Sequence, residues 1–228
     1  ADWLYDLGRR DIAILTEGVN TGTSRNTGSD KQTYYKLSIA SDGADSVQEM
    51  AETLFFGGSV HGDTALAEAA GSLRAFMKLA NLGVPFPTNE YGEYVGYKTD
   101  HDPRQRATSA GPLTSKFMTE ALEKSVQRKN IRIFDRMQAV RLLTDNGAVK
   151  GLLALDLRDR GSEGLTLFAA EHIILATGGP AAVYDRTVYP CGHIGGSGLA
   201  VEAGAAMTNL HEWQYGLASV DFRWNVSG

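Results

Sequence analysis

Apolar residues in this chain recur with two different periods, and the switches between them divide it into helical and extended stretches. Trp3, Leu4 and Leu7 stand at helical spacing ahead of Gly8, so residues 1–8 read as the end of a helix. The run DIAIL at 11–15 has the continuous apolar character of a buried parallel strand and stops at Glu17-Gly18. A polar loop, VNTGTSRNTGSDK at 19–31, follows, longer than the usual connection of about 4–6 residues. Helices are predicted over 46–56 and 63–82, with Gly83 as a C-terminal cap. Residues 84–112, rich in proline and glycine, read as a surface excursion or part of a small second subdomain. Phe117, Met118, Ala121, Leu122 and Val126 then mark one stripe of a helix over 114–129. Strands are predicted at 131–134, 139–144, 148–156 and 164–170, with Asn146-Gly147 as a hairpin turn, and a fifth at 171–175 (EHIIL). A last helix is expected over 198–206, and no repeat of 20–50 residues is present.

Composition narrows the function classes. The 228 residues are 43% hydrophobic and 21% charged, enough to bury a core and unlike a disordered chain. A net charge of −5 gives no general attraction for phosphate backbones, so nucleic acid is not expected as a partner. The single cysteine, Cys191, permits no internal disulfide and has no zinc-site spacing around it, so no metal is expected. No run approaches the length of a membrane span and no signal-peptide pattern opens the sequence; a cytoplasmic, reducing location is the expectation.

Two short features carry candidate chemistry. Glu17 ends a strand that follows a helix, where nucleotide-binding βαβ units place an acid to accept both ribose hydroxyls, although a strand-end charge is commonly only solvated. ATGG at 176–179 follows the EHIIL run; its glycines let backbone approach a ligand and present N–H groups to phosphate, or simply make a tight turn. The order of the pieces says more than either one: helix end, strand with terminal Glu, polar loop, helices, a strand, a hairpin-rich insertion, then strand and ATGG.

On that order, and on ILATGG, GGSGLAVEAGA and EWQY, the chain resembles the flavoprotein family of fumarate reductase, succinate dehydrogenase and L-aspartate oxidase, from Ala1 to about Tyr215. The resemblance implies an α/β fold: a partial FAD/NAD(P)-binding domain, Rossmann-like and of glutathione-reductase type, with a β-meander insertion and a helical excursion. It implies non-covalent FAD. Glu17 would bind the adenosine ribose, and Thr23, Ser24, Asn26, Thr27, Gly28 and Ser29 match the loop around the pyrophosphate and isoalloxazine. Backbone of Ala139 and Val140 matches the segment beside the adenine. Ala176, Thr177 and Gly178 match the one by the ribose and phosphates, and Gly195, Gly196, Ser197 and Gly198 would lie under the flavin end.

The sequence departs from the family's pattern in three places. The family's first strand and GxGxxG turn have no counterpart here, from which a shortened chain is expected, in the alternative one that neither retains FAD nor turns over. Ser24 stands about where membrane-associated members carry the histidine that attaches FAD. After EWQY come Gly216, Leu217 and Ala218, where dicarboxylate enzymes carry a substrate-binding histidine, so fumarate and succinate are not the expected substrates. The expected organisation is a partial nucleotide-binding domain with the flavin loop (1–45), a helical segment and excursion (46–130), a β-meander with return to the nucleotide-binding domain (131–210), and the start of a substrate or capping region (211–228). The implied activity is hydride transfer between FAD and a small organic substrate, with a possible electron-transfer partner; unpaired strand edges at 12–15 and 173–175 would favour self-association. No catalytic residue is identified.

Other residues have competing readings. Arg104 and Arg106, beside His101, would bind an anionic substrate or form a solvated charged loop. Arg223 in DFRWN fits an anion site or a partner-binding edge. His193 would contact substrate or play a structural part. Tyr34 and Tyr35 would stack on the flavin or pack the core, His211-Glu212 lacks the second His of a zinc motif, and Cys191 is taken as inert.

Overall fold

The computed structural model describes residues 1–28, 32–41, 43–58, 60–99, 102–159, 164–179, 183, 195–210 and 221. These fall into two compact units: Ala1–Ile12 with Thr23–Arg132, and Ala13–Gly22 with Ile133–Gly228.

The first unit is mainly helical, with α1 (Asp2–Asp6), α2 (Thr23–Asn26), α3 (Val47–Phe56), α4 (Gly62–Asn81) and α5 (Thr114–Arg128). Helix α4 buries Ala65, Ala69, Ser72, Phe76 and Leu79, a stripe at helical spacing. Its small N-terminal half lets α3 pack closely, with Met50 and Ala51 facing Ala65 and Ala69. Its C-terminal half brings Phe76 and Leu79 against Val84, Phe86 and Ala121. Ser46 caps α3 by accepting the Glu49 N–H, and α4 exits through Gly83 with paired bonds from Gly83 N to Ala80 O and Val84 N to Leu79 O.

The stretch 84–112 has an exposed run at 87–93 and is anchored to the core on either side of it. Val84, Phe86 and Ala107 are buried, and β3 (Ala107–Thr108) pairs antiparallel with β2 (Tyr34–Tyr35). Phe86 stacks with Phe76 at 4.7 Å and Tyr34 meets both rings, so the aromatic residues tie this stretch to the helical core. Tyr34 is thus a core residue.

The second unit is built on strands. β1 (Ala13–Leu15) is hydrogen-bonded to β4 (Arg132–Phe134), and β5 (Met137–Asp145), β6 (Ala148–Asp156) and β7 (Leu165–Ala169) form an antiparallel sheet. The β5–β6 turn has φ of 49° at Asn146 and 76° at Gly147, the two positive values a tight primed hairpin turn requires. Helix α6 (Ser197–Glu202) packs against β5. It is shorter than the sequence pattern predicts because Gly204, at φ 92°, turns the chain out, with Ala205 N bonding back to Ala200 O.

Residues 171–175 are not a strand. Among the described residues no ladder partner pairs with them, and Ile174 is 73% exposed, so apolar character alone does not make an extended run a sheet member. Among the described residues no helix is long and apolar enough to cross a membrane.

Candidate functional site

In the second unit the end of β1 is fastened between its neighbours: Thr16 N donates to Phe134 O, and Met137 N donates to Thr16 O. Val19 N bonds the Asp135 carboxylate at 3.0 Å, closing the turn that follows. Glu17 sits within this frame with its side chain exposed. From Met137 the chain runs directly into β5, where Ala139 faces Ala154 and Arg141 faces Leu153. Val140, between them, has no partner in the register. It is the extra residue of a β-bulge, and such an irregularity turns backbone groups out of the ladder where a ligand can meet them.

Helix α6 lies on β5 and begins at Gly196-Ser197, against the ATGG segment. A Cβ at Gly195 would come within 2.9 Å of Gly178 O, and one at Gly196 within 2.6 Å of Thr177 Oγ1. The absence of a side chain at Gly195 therefore lets two backbone segments touch, and at Gly196 it makes room for the Thr177 side chain. Together they wall an open cleft of about 390 Å³ whose lining includes Ala176, Thr177, Gly178, Gly196 and Ser197. Leu175, Ala200, Ala205, Ala206, Met207 and Thr208 complete it, ordinary helix or loop residues that no chemistry-bearing pattern marks in the sequence. The cleft is lined by backbone, hydroxyls and small apolar groups, with no ionisable side chain among its lining residues. Such a surface suits a phosphate-bearing, partly apolar ligand better than acid–base chemistry.

From Thr23 onward the polar loop belongs to the first unit. Thr23, Ser24 and Asn26 lie on α2, and Thr27 closes the turn by donating its hydroxyl to Thr23 O at 2.7 Å. Gly28 rests against Pro112 and Leu113, where a Cβ would have neighbours at 3.1 Å. Arg25 reaches onto α5: its Nε donates to Thr119 Oγ1 at 2.9 Å and Nη2 to Glu123 at 2.7 Å.

Arg104 and Arg106 do not form a solvated loop. Arg106 is fully buried, and its guanidinium donates to both Asp45 oxygens at 2.9 and 2.7 Å, to Thr53 Oγ1 at 3.0 Å and to the Tyr35 hydroxyl at 3.2 Å. Burial by itself would raise the Asp45 carboxyl, but Arg106 and the N–H groups of Ser38 and Ser46 hold it below the ordinary aspartate range. Arg104 pairs in a fork with Glu49 at 2.7 and 3.0 Å. Both arginines are consumed in ion pairs between the 102–106 segment and Asp45 and Glu49 around the start of α3, an arrangement that organises structure rather than awaits a substrate. Among the described residues no group of three metal-ligating side chains occurs. Ser29, Cys191, His193, His101, the His211-Glu212 pair and Arg223 lie outside the described residues.

Residues 8–228 match the model of a family described as FAD binding domain. The chain is 32% identical over 140 residues to the L-aspartate oxidase of Agrobacterium fabrum, which covers 60% of this chain and 26% of that enzyme. It is 29% identical over 151 residues to the succinate dehydrogenase flavoprotein subunit of Rickettsia bellii, covering 62% and 25%. In fold it resembles the quinol fumarate reductase of E. coli, with a TM-score of 0.71 at 20% identity over 88% of this chain and 34% of that one. The chain thus spans about a quarter to a third of the length of these proteins.

Proposed function

The chain belongs to the FAD binding domain family of flavoproteins, and we propose that it is the cofactor-holding part of an oxidoreductase acting on a small organic substrate. FAD is its cofactor, and when bound supplies two-electron hydride chemistry. What the protein contributes is binding and orientation. In the proposed arrangement Glu17 accepts hydrogen bonds from the ribose hydroxyls and backbone at Ala139 and Val140 borders the adenine. Ala176, Thr177 and Gly178 meet ribose and phosphate, while Gly195, Gly196, Ser197 and Gly198 lie under the flavin end. Thr23, Ser24, Asn26, Thr27, Gly28 and Ser29 wrap the pyrophosphate and isoalloxazine. With Ser24 in place of a histidine, attachment is non-covalent.

The observation that carries this reading is the linkage of four segments within one unit. The strand ending at Glu17 is bonded to the start of β5, β5 carries the bulge at Val140, α6 packs on β5, and the N-terminal glycines of α6 touch the Thr177-Gly178 corner. The residues fit an extended dinucleotide: an exposed acid, a bulged backbone and a glycine-walled cleft. The described lining of the cleft itself carries no ionisable side chain. The substrate is proposed to be other than fumarate or succinate, because the sequence has Gly216-Leu217-Ala218 after EWQY. A redox partner is proposed on the likeness to an enzyme that is, by name, a quinol fumarate reductase.

The test is direct. Purified protein is expected to carry or take up FAD, read as visible flavin absorbance and quenched flavin fluorescence. Glu17→Ala is expected to weaken FAD binding by about 1–3 kcal/mol through lost charge-assisted hydrogen bonds, roughly five- to 150-fold in affinity. A colourless protein that takes up no added FAD, or equal affinity in the variant, overturns the assignment.

A further inference from the structure

Helix α5 presents Ser115, Thr119, Glu123 and Gln127 at successive four-residue intervals, one polar row along a single face. Three of the four engage the polar loop or its continuation. Ser115 N donates to the Gln32 side-chain oxygen at 2.9 Å, and the Gln32 amide in turn donates to Thr27 O at 3.4 Å. Thr119 and Glu123 receive the two arms of Arg25. Gln127 braces the arrangement from behind, donating to the other Glu123 oxygen at 2.9 Å. The Arg25–Glu123 pair is largely shielded, with side-chain exposures of 12% and 22%. A guanidinium held on a hydroxyl and a carboxylate at once has one orientation, so α2 inherits a fixed pose from the rail.

We infer that Arg25 is a positioning residue for the cofactor: through Thr119 and Glu123 it sets the pose of the loop that carries Thr23, Ser24, Asn26 and Thr27. This rests on the reading that the loop holds FAD. The physical case is that Arg25 faces α5 from a four-residue helix too short to be stable alone, so its neighbours' geometry depends on that anchor. Cofactor-contacting groups keep their geometry only when a supporting layer locks them. Arg25 therefore acts on the cofactor without touching it.

The test compares wild-type protein with Arg25→Met, Arg25→Lys, Glu123→Gln and, as control, Asp6→Asn, which weakens an ion pair with Lys129 beyond the far end of α5. FAD affinity is read by flavin fluorescence titration, and amide hydrogen exchange over residues 20–28 is read in flavin-free protein. Arg25→Met is expected to lose about tenfold or more in FAD affinity and to exchange several-fold faster in the loop. Glu123→Gln is expected to lose less, and Arg25→Lys to recover part of the loss because it keeps the charge but not the fork. Asp6→Asn is expected to leave both readouts at wild-type values. Wild-type affinity in Arg25→Met, or unchanged loop exchange, overturns the proposal, as does an equal affinity loss in Asp6→Asn. Failure of wild-type protein to bind FAD instead overturns the cofactor reading, and the exchange arm, which needs no flavin, tells that result apart.

Discussion

Replacing Arg106 with methionine removes the cation from a site where its partners have no access to water. The Arg106 side chain is 0% exposed, Asp45 2% and Asp102 3%, so two carboxylates remain buried when the guanidinium leaves. Asp102 already has one buried oxygen without a hydrogen-bond partner, and Arg106→Met leaves its other oxygen with only the Arg104 N–H at 3.0 Å. Thr53 and Tyr35 lose their donor too. Removing one partner of a buried ion pair costs about 3–5 kcal/mol, a large share of the roughly 5–15 kcal/mol that holds a domain folded. The double variant Arg106→Met with Asp45→Asn deletes both charges of the main pair and is expected to cost less than the sum of the two single changes. The acid limb of the stability profile should change with it. Asp45 has its folded pKa below the unfolded one, so its contribution is present above the unfolded value and is lost as pH falls through the folded one. Arg106→Met should flatten that limb. Urea unfolding followed by far-UV circular dichroism from pH 3 to 8 measures both effects. A loss under about 1 kcal/mol at neutral pH, or strictly additive single and double variants, would refute the claim that this network is closed and buried.

The strand and helix framework was legible where one local rule acted alone. The pattern at Ala148–Asp156 and the Asn146-Gly147 turn needed only period and turn chemistry, and the structure has both where expected. Gly83 behaves as the cap its neighbours suggest, because capping is settled within a few residues. Reading failed where the outcome depended on distant groups. The EHIIL run has strand composition, but strand formation requires a ladder partner, which composition does not report. Arg104 and Arg106 sit in a proline-containing polar stretch that looks solvated; the burial of Arg106 and the pairing of Arg104 follow from Asp45 and Glu49, about sixty residues earlier in the chain. A signal for the α5 rail was present in the four-residue spacing of Ser115, Thr119, Glu123 and Gln127, hidden because the apolar stripe of the same helix is the stronger pattern. Within the candidate site, the Ala176–Gly178 and Gly195–Gly198 motifs could be read as glycine turns, whereas their mutual contact is tertiary.

The remaining predictions follow from single contacts. Gly196→Val should place its Cβ on Thr177 Oγ1, where the glycine leaves only 2.6 Å, and force the two cleft walls apart. A lower melting temperature together with weaker FAD uptake is expected, and a variant matching wild type in both would show that the walls do not touch. Lys36→Met should stabilise the protein, because the Lys36 ammonium is fully buried, lies over the Phe76 ring at 4.8 Å and has a hydrogen bond of 3.4 Å to the Leu37 carbonyl. Burial, partly offset by Asp45, lowers the Lys36 pKa in the folded state. Between that value and the unfolded one the unfolded chain binds more protons, so the wild-type protein gains stability from this group as pH rises. Below the folded pKa the cost of the buried charge is fully present. The advantage of Lys36→Met should therefore be greatest below the folded pKa and shrink as pH climbs toward the ordinary lysine range, measured as the difference in urea midpoints between the two proteins. A constant difference across that range, or a destabilised variant, would mean that the ammonium is well solvated in the folded state and that its apolar surroundings do not control its charge.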